Sequence, residues 1–320
     1  MTKTNNILTL KEWLNEWIEI YSINLKENTL ASYKQAINNH IIKHLGDIPL
    51  EELDIKDIQI FYNILIRGEE NQTSLSAKTI KNIHGILHKA LKTAFKLGYI
   101  DSNPADFVTL PKVDKKIIKP LSPKQISLLL NYIKENKYAD IIFFAIFTGM
   151  RESELIGLTW DCVDFRNSAI IIEKQLIKEK KAGGQYKFSS LKNSKTRVIN
   201  PPAIIMDKLD EICKKRNVKT KFVFCNEDGS HFTHSGVYNY FKGVAEKLGF
   251  GQARFHDLRH TFAVISIEAG DDYKTIQNNM GHYSAAFTLD IYGFCTDRMR
   301  KESSLKLQTY YNNSIKKMII

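Results

Sequence analysis

Apolar positions near the start of the chain recur every three or four places. Leu10, Trp13, Leu14, Trp17 and Ile18 form one stripe and predict an amphipathic helix over 8–22, with both tryptophans facing a core. Leu30, Tyr33, Ile37 and Ile41 predict a second helix that starts near Asn28-Thr29 and ends at Gly46-Asp47. Leu53-Asp54-Ile55-Lys56 opens a third helix that runs through Phe61 to Ile66, and Gly68-Glu69-Glu70-Asn71 is a polar loop. Ser76 then caps a long helix with Ile80, Ile83, Leu87, Leu91 and Ala94 inward, stopped at Gly98. Together these elements predict a small helical bundle.

The pattern then lapses. Residues 106–121 lack periodicity and hold Pro111, Pro120 and lysines 112, 115, 116 and 119, which reads as an extended basic linker. Ser122-Pro123-Lys124-Gln125 restarts the chain with an N-cap, a proline at the first helical position and a glutamine placed to close a capping box. Asp140 to Phe147 is apolar nearly all round, so it reads as a buried helix broken by Thr148-Gly149. Ala169–Ile172, Tyr186–Ser189 and Arg197–Ile199 predict a three-stranded sheet with a long polar loop around Gly183-Gly184. Helices resume at 203–215, from Ser235 to Leu248, and over most of 256–292, with Phe222-Val223-Phe224 a short buried strand or turn. The predicted class is mainly α with a small antiparallel β-sheet. A helical bundle over 1–105, a linker over 106–121, a mixed α/β domain over 122–296 and a tail over 297–320 make up the chain.

Charge changes this picture. The net charge is +11, but residues 1–110 carry 12 Lys+Arg against 13 Asp+Glu, so the excess lies beyond them. A basic second half favours a polyanionic partner, either nucleic acid or an acidic membrane surface. The four cysteines, at 162, 213, 225 and 295, show no CxxC spacing, which argues against a zinc site or a disulfide framework and fits a reducing cytoplasm. The N-terminus lacks the apolar run of a signal peptide, and the longest apolar run, Ile141 to Phe147, is far too short to span a bilayer.

The chemistry concentrates near the C-terminus. His256 and Arg259 are followed by Gly281-His282, with the histidine 23 residues beyond Arg259, and then by Tyr292 ten residues further. Upstream lies Thr148-Gly149-Met150-Arg151-Glu152-Ser153-Glu154-Leu155. Arginine matches phosphate oxygens with a planar, always-charged fork. Histidine donates a hydrogen bond or moves a proton near neutral pH, and tyrosine can attack and hold a covalent intermediate. This set suits chemistry on a phosphodiester, with no metal or other cofactor required. The alternative for Arg151 is a salt bridge with Glu152 or Glu154, but a carboxylate one residue away points elsewhere on a helix.

These pieces, in this order and with these gaps, resemble the tyrosine recombinases, the phage-integrase family, and most closely the integrases of phages and conjugative transposons. The pattern from Lys26 (Lys-x-Asn-Thr-Leu-x-x-Tyr) and the stretch Gly98-Tyr99-Ile100-x-x-Asn103-Pro104 resemble that family's core-binding domain. The resemblance implies that the bundle sits on one side of a DNA duplex and that the linker lets two domains close on it; lysines 26, 34, 78, 81 and 89 are candidates for that face. It implies Tyr292 as nucleophile, forming a 3′-phosphotyrosyl link and releasing a 5′-hydroxyl. Arg151 and Arg259 clamp the phosphate, His256 is proton acceptor or hydrogen-bond donor, and His282 donates to the scissile phosphate. The general acid is a lysine on a β-hairpin between the arginines: Lys192 matches best, Lys195 is the runner-up and Lys187 a distant third.

By the same resemblance the activity is ATP-free site-specific recombination for integration or excision of a mobile element. The expected partners are double-stranded attachment sites, a homotetramer on DNA and an excision or host accessory protein, with no membrane partner. A Xer-like dimer resolvase, a type IB topoisomerase and a DNA-binding regulator without chemistry are the alternatives. Gly293-Phe294-Cys295 and Met280 depart from the commoner family residues without touching the chemistry. Few residues precede the first helix, so either the chain lacks the family's additional arm-binding domain or it is trimmed. The tail, with Met299, Leu305, Leu307 and Tyr310, is expected to dock on a neighbouring subunit, the alternative being its own domain.

Overall fold

The computed structural model describes residues 8–68, 73–113, 120–179, 184–191, 195–216, 218–251, 253–281 and 297–315. The chain forms two compact units, the first holding the described residues up to 113 and the second those from 120 onward. The fold is mainly helical with small antiparallel sheets, as the hydrophobic pattern predicts.

The first unit begins with α1 (Leu10–Ile20), headed by a capping box in which the Glu12 carboxylate accepts the Thr9 N–H at 2.9 Å. Its buried face is Leu10, Trp13, Leu14, Trp17 and Ile18. α2 (Glu27–Ala36) runs through a π-turn, Ile37–Ile41, into α3 (Ile42–Leu45). The wider turn keeps Ile37, Ile41 and Leu45, spaced by four, on the buried side. α4 (Ile55–Arg67) starts at an Asp54/Asp57 capping box, and α5 (Ala77–Lys96) at the Ser76 hydroxyl, which accepts the Thr79 N–H at 3.2 Å. Both tryptophans are core residues with their indole N–H groups spent on α5: Trp13 donates to the Ala90 carbonyl and Trp17 to the Thr93 hydroxyl, each at 3.1 Å.

Of the five lysines proposed for one face, Lys81 and Lys89 line a groove with Tyr33, His40 and Gln35, and Lys89 donates to the Tyr33 hydroxyl at 3.2 Å. Beyond α5 a short 3₁₀ turn, Pro104–Phe107, is headed by the buried Asn103. The Gln59 amide brackets Thr109 at both backbone groups, and Val108 and Leu110 pack on the bundle core. The segment read as linker therefore adheres to the first unit as far as Leu110.

In the second unit α6 (Pro123–Ile133) has the Ser122/Gln125 capping box expected for it. α7 (Ala139–Thr148) is buried on all sides and ends at Gly149, with φ +62. A Cβ at Gly149 would lie 2.3 Å from the Phe262 ring, so close packing as well as backbone conformation requires glycine there. α8 (Glu152–Ile156) follows, then the strands β1 (Val163–Asp164), β2 (Ala169–Ile172), β3 (Lys174–Lys178), β4 (Tyr186–Ser190) and β5 (Arg197–Ile199).

One predicted sheet proves to be two. β1, β2 and β5 form a three-stranded antiparallel sheet, while β4 pairs with β3 in a separate hairpin whose register sets Leu176 opposite Phe188. The sequence Lys-Gln-Leu-Ile-Lys of β3 has one fully buried residue, Leu176, and β1 is two residues long, so neither had a legible strand pattern.

α9 (Ala203–Lys215) precedes α10 (His234–Lys247). α10 starts one residue before the expected Ser235, because the Thr233 hydroxyl is the cap and accepts the Gly236 N–H at 3.1 Å. α11 (Phe255–Ala269) and α12 (Tyr273–Met280) follow, and α13 (Asp297–Tyr310) carries Leu305, Leu307 and Tyr310, all exposed in the single chain. No helix among the described residues is long and apolar enough to cross a membrane.

Candidate active site

The C-terminal end of α12 is where the candidate chemistry gathers. Gly281, with φ +64, ends the helix in the left-handed conformation. A helix end leaves its last carbonyls without intrahelical donors, and three guanidinium groups from three other elements take them in succession. Arg197 on β5 donates Nε to the Asn279 carbonyl at 2.9 Å, Arg259 on α11 donates Nη2 to Met280 at 2.5 Å, and Arg151 at the start of α8 donates Nη2 to Gly281 at 2.8 Å. The negative end of the helix dipole favours cations at this place.

Arg259 is buried, and its Nη1 donates to the Gly149 carbonyl at 2.5 Å. Both Nη atoms thus donate to neutral carbonyls, one in the Arg151 motif and one at the end of α12. Arg151 lies at the N-cap of α8. Its Nη1 meets Glu154 at 2.7 Å, and its backbone N–H donates to the same carboxylate at 2.8 Å. Of the two carboxylates weighed as partners for Arg151, Glu154 is the one it meets: the Arg151 side chain at the N-cap reaches over the first turn, three residues on.

Glu154 is 1 % exposed and also receives Arg197 bidentately, at 2.9 and 2.6 Å. Burial alone would raise its pKa, but the bonds and charge of Arg197, followed by those of Arg151, hold it at about 2. The four groups Arg151, Arg197, Arg259 and Glu154 carry three positive charges against one negative, so the cluster stays cationic.

His256 lies in the first turn of α11, three residues before Arg259, with part of its ring side open. Packing around the ring, then the Arg259 charge, lower its pKa, which favours the neutral imidazole at pH 7. His260, one turn on and buried, meets the His256 ring edge-on at 5.2 Å and is held at about 4 by burial and then by His256.

The structure therefore brings together Arg151, Arg259 and His256 of the expected set. Lys192, His282 and Tyr292 lie outside the described residues. Lys187 is in an ion pair with Glu179 at 2.5 Å, and Lys195 is exposed. The pairing of Glu154 with Arg197 was not anticipated: they stand 43 residues apart in sequence, and no local pattern joins them. Among the described residues, Asp161, Cys162 and Glu173 bring three potential metal-ligand atoms together, with the Lys174 ammonium against both carboxylates at 2.8 and 3.5 Å.

Comparison with known proteins points to one family. Residues 119–297 match the phage integrase family, and residues 9–66 match the phage integrase N-terminal SAM-like domain. A XerC-like tyrosine recombinase of Caldanaerobacter subterraneus subsp. tengcongensis is 26% identical over 314 residues, covering 89% of this chain and 79% of that protein. The ICEBs1 integrase of Bacillus subtilis is 27% identical over 304 residues, covering 89% and 78%. The Tn1549 transposon integrase, solved with transposon right end DNA, superposes with a TM-score of 0.80 at 26% identity, covering 94% of this chain and all of that one. A lambda integrase tetramer on a Holliday junction shares the fold, with a TM-score of 0.66 at 20% identity.

The chain belongs to the phage integrase family. It is a tyrosine-type site-specific DNA recombinase, like the integrases and tyrosine recombinases it matches.

Proposed function

We propose that the chain integrates and excises a mobile element by cutting and rejoining DNA at attachment sites, with Tyr292 as nucleophile. The Tyr292 phenol oxygen attacks phosphorus, an O–P bond to the 3′-phosphate forms, and the bond to the 5′-oxygen breaks. His256, neutral at pH 7, accepts the phenol proton, and Lys192 gives a proton to the departing 5′-oxygen. Arg151, Arg259 and His282 stabilise the charge that builds on the non-bridging oxygens. The phosphotyrosyl ester conserves the bond energy, so a 5′-hydroxyl reseals the strand by the reverse step without ATP. The observation that carries this reading is the convergence of Arg151 and Arg259 on adjacent carbonyls at the Met280-Gly281 turn, which His282 follows in sequence.

The bundle and the basic unit serve as the two DNA-binding domains, joined by the stretch around 111–121, and four copies assemble on paired sites in the cytoplasm with an accessory protein for excision. The exposed Leu305, Leu307 and Tyr310 of α13 favour docking on a neighbouring copy over packing on their own unit. Similarity to a XerC-like recombinase supports a second reading, resolution of dimers, which uses the same chemistry.

The test is a nicked duplex built on the core site that the chain selects from a random-sequence pool, incubated without ATP and run on a denaturing gel. A covalent complex is expected, and Tyr292→Phe should abolish it while binding persists. Absence of any complex, or its persistence in Tyr292→Phe, would overturn the assignment.

A further inference from the structure

Arg197 lies outside the clamp proposed above, yet it shares the Glu154 carboxylate with Arg151 and the end of α12 with both clamp arginines. Its side chain is 10% exposed. Both Nη atoms go to Glu154, one to each oxygen, and Nε goes to the Asn279 carbonyl. Gly281 lies flat over the guanidinium: a Cβ there would stand 3.0 Å from Nη1 and 3.2 Å from Cδ and Cζ. Arg151 closes the circuit, giving Nη1 to Glu154 and Nη2 to the Gly281 carbonyl. Arg197, Glu154, Arg151 and Gly281 thus form a ring that joins β5, α8 and the end of α12.

The ring has a specific electrostatic consequence. A buried carboxylate draws any guanidinium in reach into a bidentate pair, which neutralises both. With Arg197 on both oxygens of Glu154, the Arg151 guanidinium meets only Oε1, and its Nη2 stays directed at the Gly281 turn. With Arg197 gone, Glu154 would keep its charge, and Arg151, three residues away, would be its remaining arginine partner among those of the ring.

We infer that Arg197 is a positioning residue for strand cleavage: it occupies Glu154 so that the Arg151 guanidinium is left for the scissile phosphate. The inference rests on the assignment of Arg151 and Tyr292 made above. It predicts a suppressor, because neutralising Glu154 should release Arg151 again when Arg197 is absent.

The experiment follows single-turnover formation of the covalent complex on the selected nicked duplex, with binding measured alongside. Arg197→Gln should slow cleavage by about a hundredfold with binding within a few-fold of wild type. Adding Glu154→Gln to Arg197→Gln should recover at least about tenfold of that loss. A residue that merely braces the fold predicts the opposite, a double variant slower than either single one. Should Arg197→Gln fail to fold by its melting temperature, Arg197→Lys, which keeps the charge but not the fork, should cleave about tenfold slower than wild type.

Cleavage by Arg197→Gln within threefold of wild type, a double variant no faster than Arg197→Gln, or an undiminished Arg197→Lys would each overturn the inference. A wild-type chain without Tyr292-dependent complex would instead sink the site assignment beneath it.

Discussion

Helices α7 and α11 pack against each other and are both buried, but they spend burial differently. α7 hides Ile141, Ile142, Phe144, Ala145 and Ile146, with Thr148 its one buried polar side chain, bonded back to the Phe144 carbonyl. α11 hides Arg259, His260, Thr261 and Ser266 among its apolar residues. Apolar burial stabilises in proportion to the area removed from water, whereas a buried guanidinium costs several kcal/mol unless it is fully bonded. Among the bonds of Arg259 are those to the Gly149 and Met280 carbonyls, which hold both its Nη atoms without cancelling its charge. The contrast teaches where this unit gives up packing stability for a cationic site.

The contrast can be broken from either side. Phe144→Ala should cost the largest stability, about 3–5 kcal/mol by analogy with other buried aromatics, since the ring is fully buried and meets Phe224 edge-on at 5.0 Å. Chemical denaturation would measure this, and the folded fraction should still cleave at the wild-type rate. Arg259→Lys should do the reverse. Cleavage should fall by about 10²–10³, some 3–4 kcal/mol of barrier, because one ammonium cannot reach both carbonyls and a phosphate.

The smallest effect concerns pH. His260 has a folded pKa of about 4, below its unfolded value near 6.5, so the unfolded chain binds the proton first. The stability it confers is complete above about pH 6.5 and is lost as pH falls toward 4. The melting temperature should decline over that window, and His260→Phe should flatten the decline; an unchanged slope would count against buried neutral His260.

The helices of both units were legible because their cues are local. Asp54, Ser76 and Ser122 sit at the caps, and the stripes of α1 and α5 match their buried faces. α7 was legible for the same reason, from its uniform apolarity. β2, β4 and β5 were legible as strands, but β1, β3 and the division into two sheets were not, because β3 presents a single buried residue and its pairing with β4 is a matter of tertiary context.

Arg151, His256 and Arg259 were visible as a motif, and the structure adds why the two arginines converge: the carbonyls at the end of α12 accept from their guanidinium groups. Glu154 was visible only as a neighbour of Arg151, and Arg197 only as a strand residue. Their bond spans two elements and is fixed by the fold, so no sequence spacing encodes it.

The central claim is that these cations act on one phosphate. It is tested most directly by replacing a non-bridging oxygen of the scissile phosphate with methyl, which removes its negative charge. Arg259→Ala should cleave the ordinary nicked duplex at least about a hundredfold more slowly than wild type, and should lose far less on the methylphosphonate. An equal loss on both substrates would mean that Arg259 supports the fold without meeting the phosphate, and the account would fail.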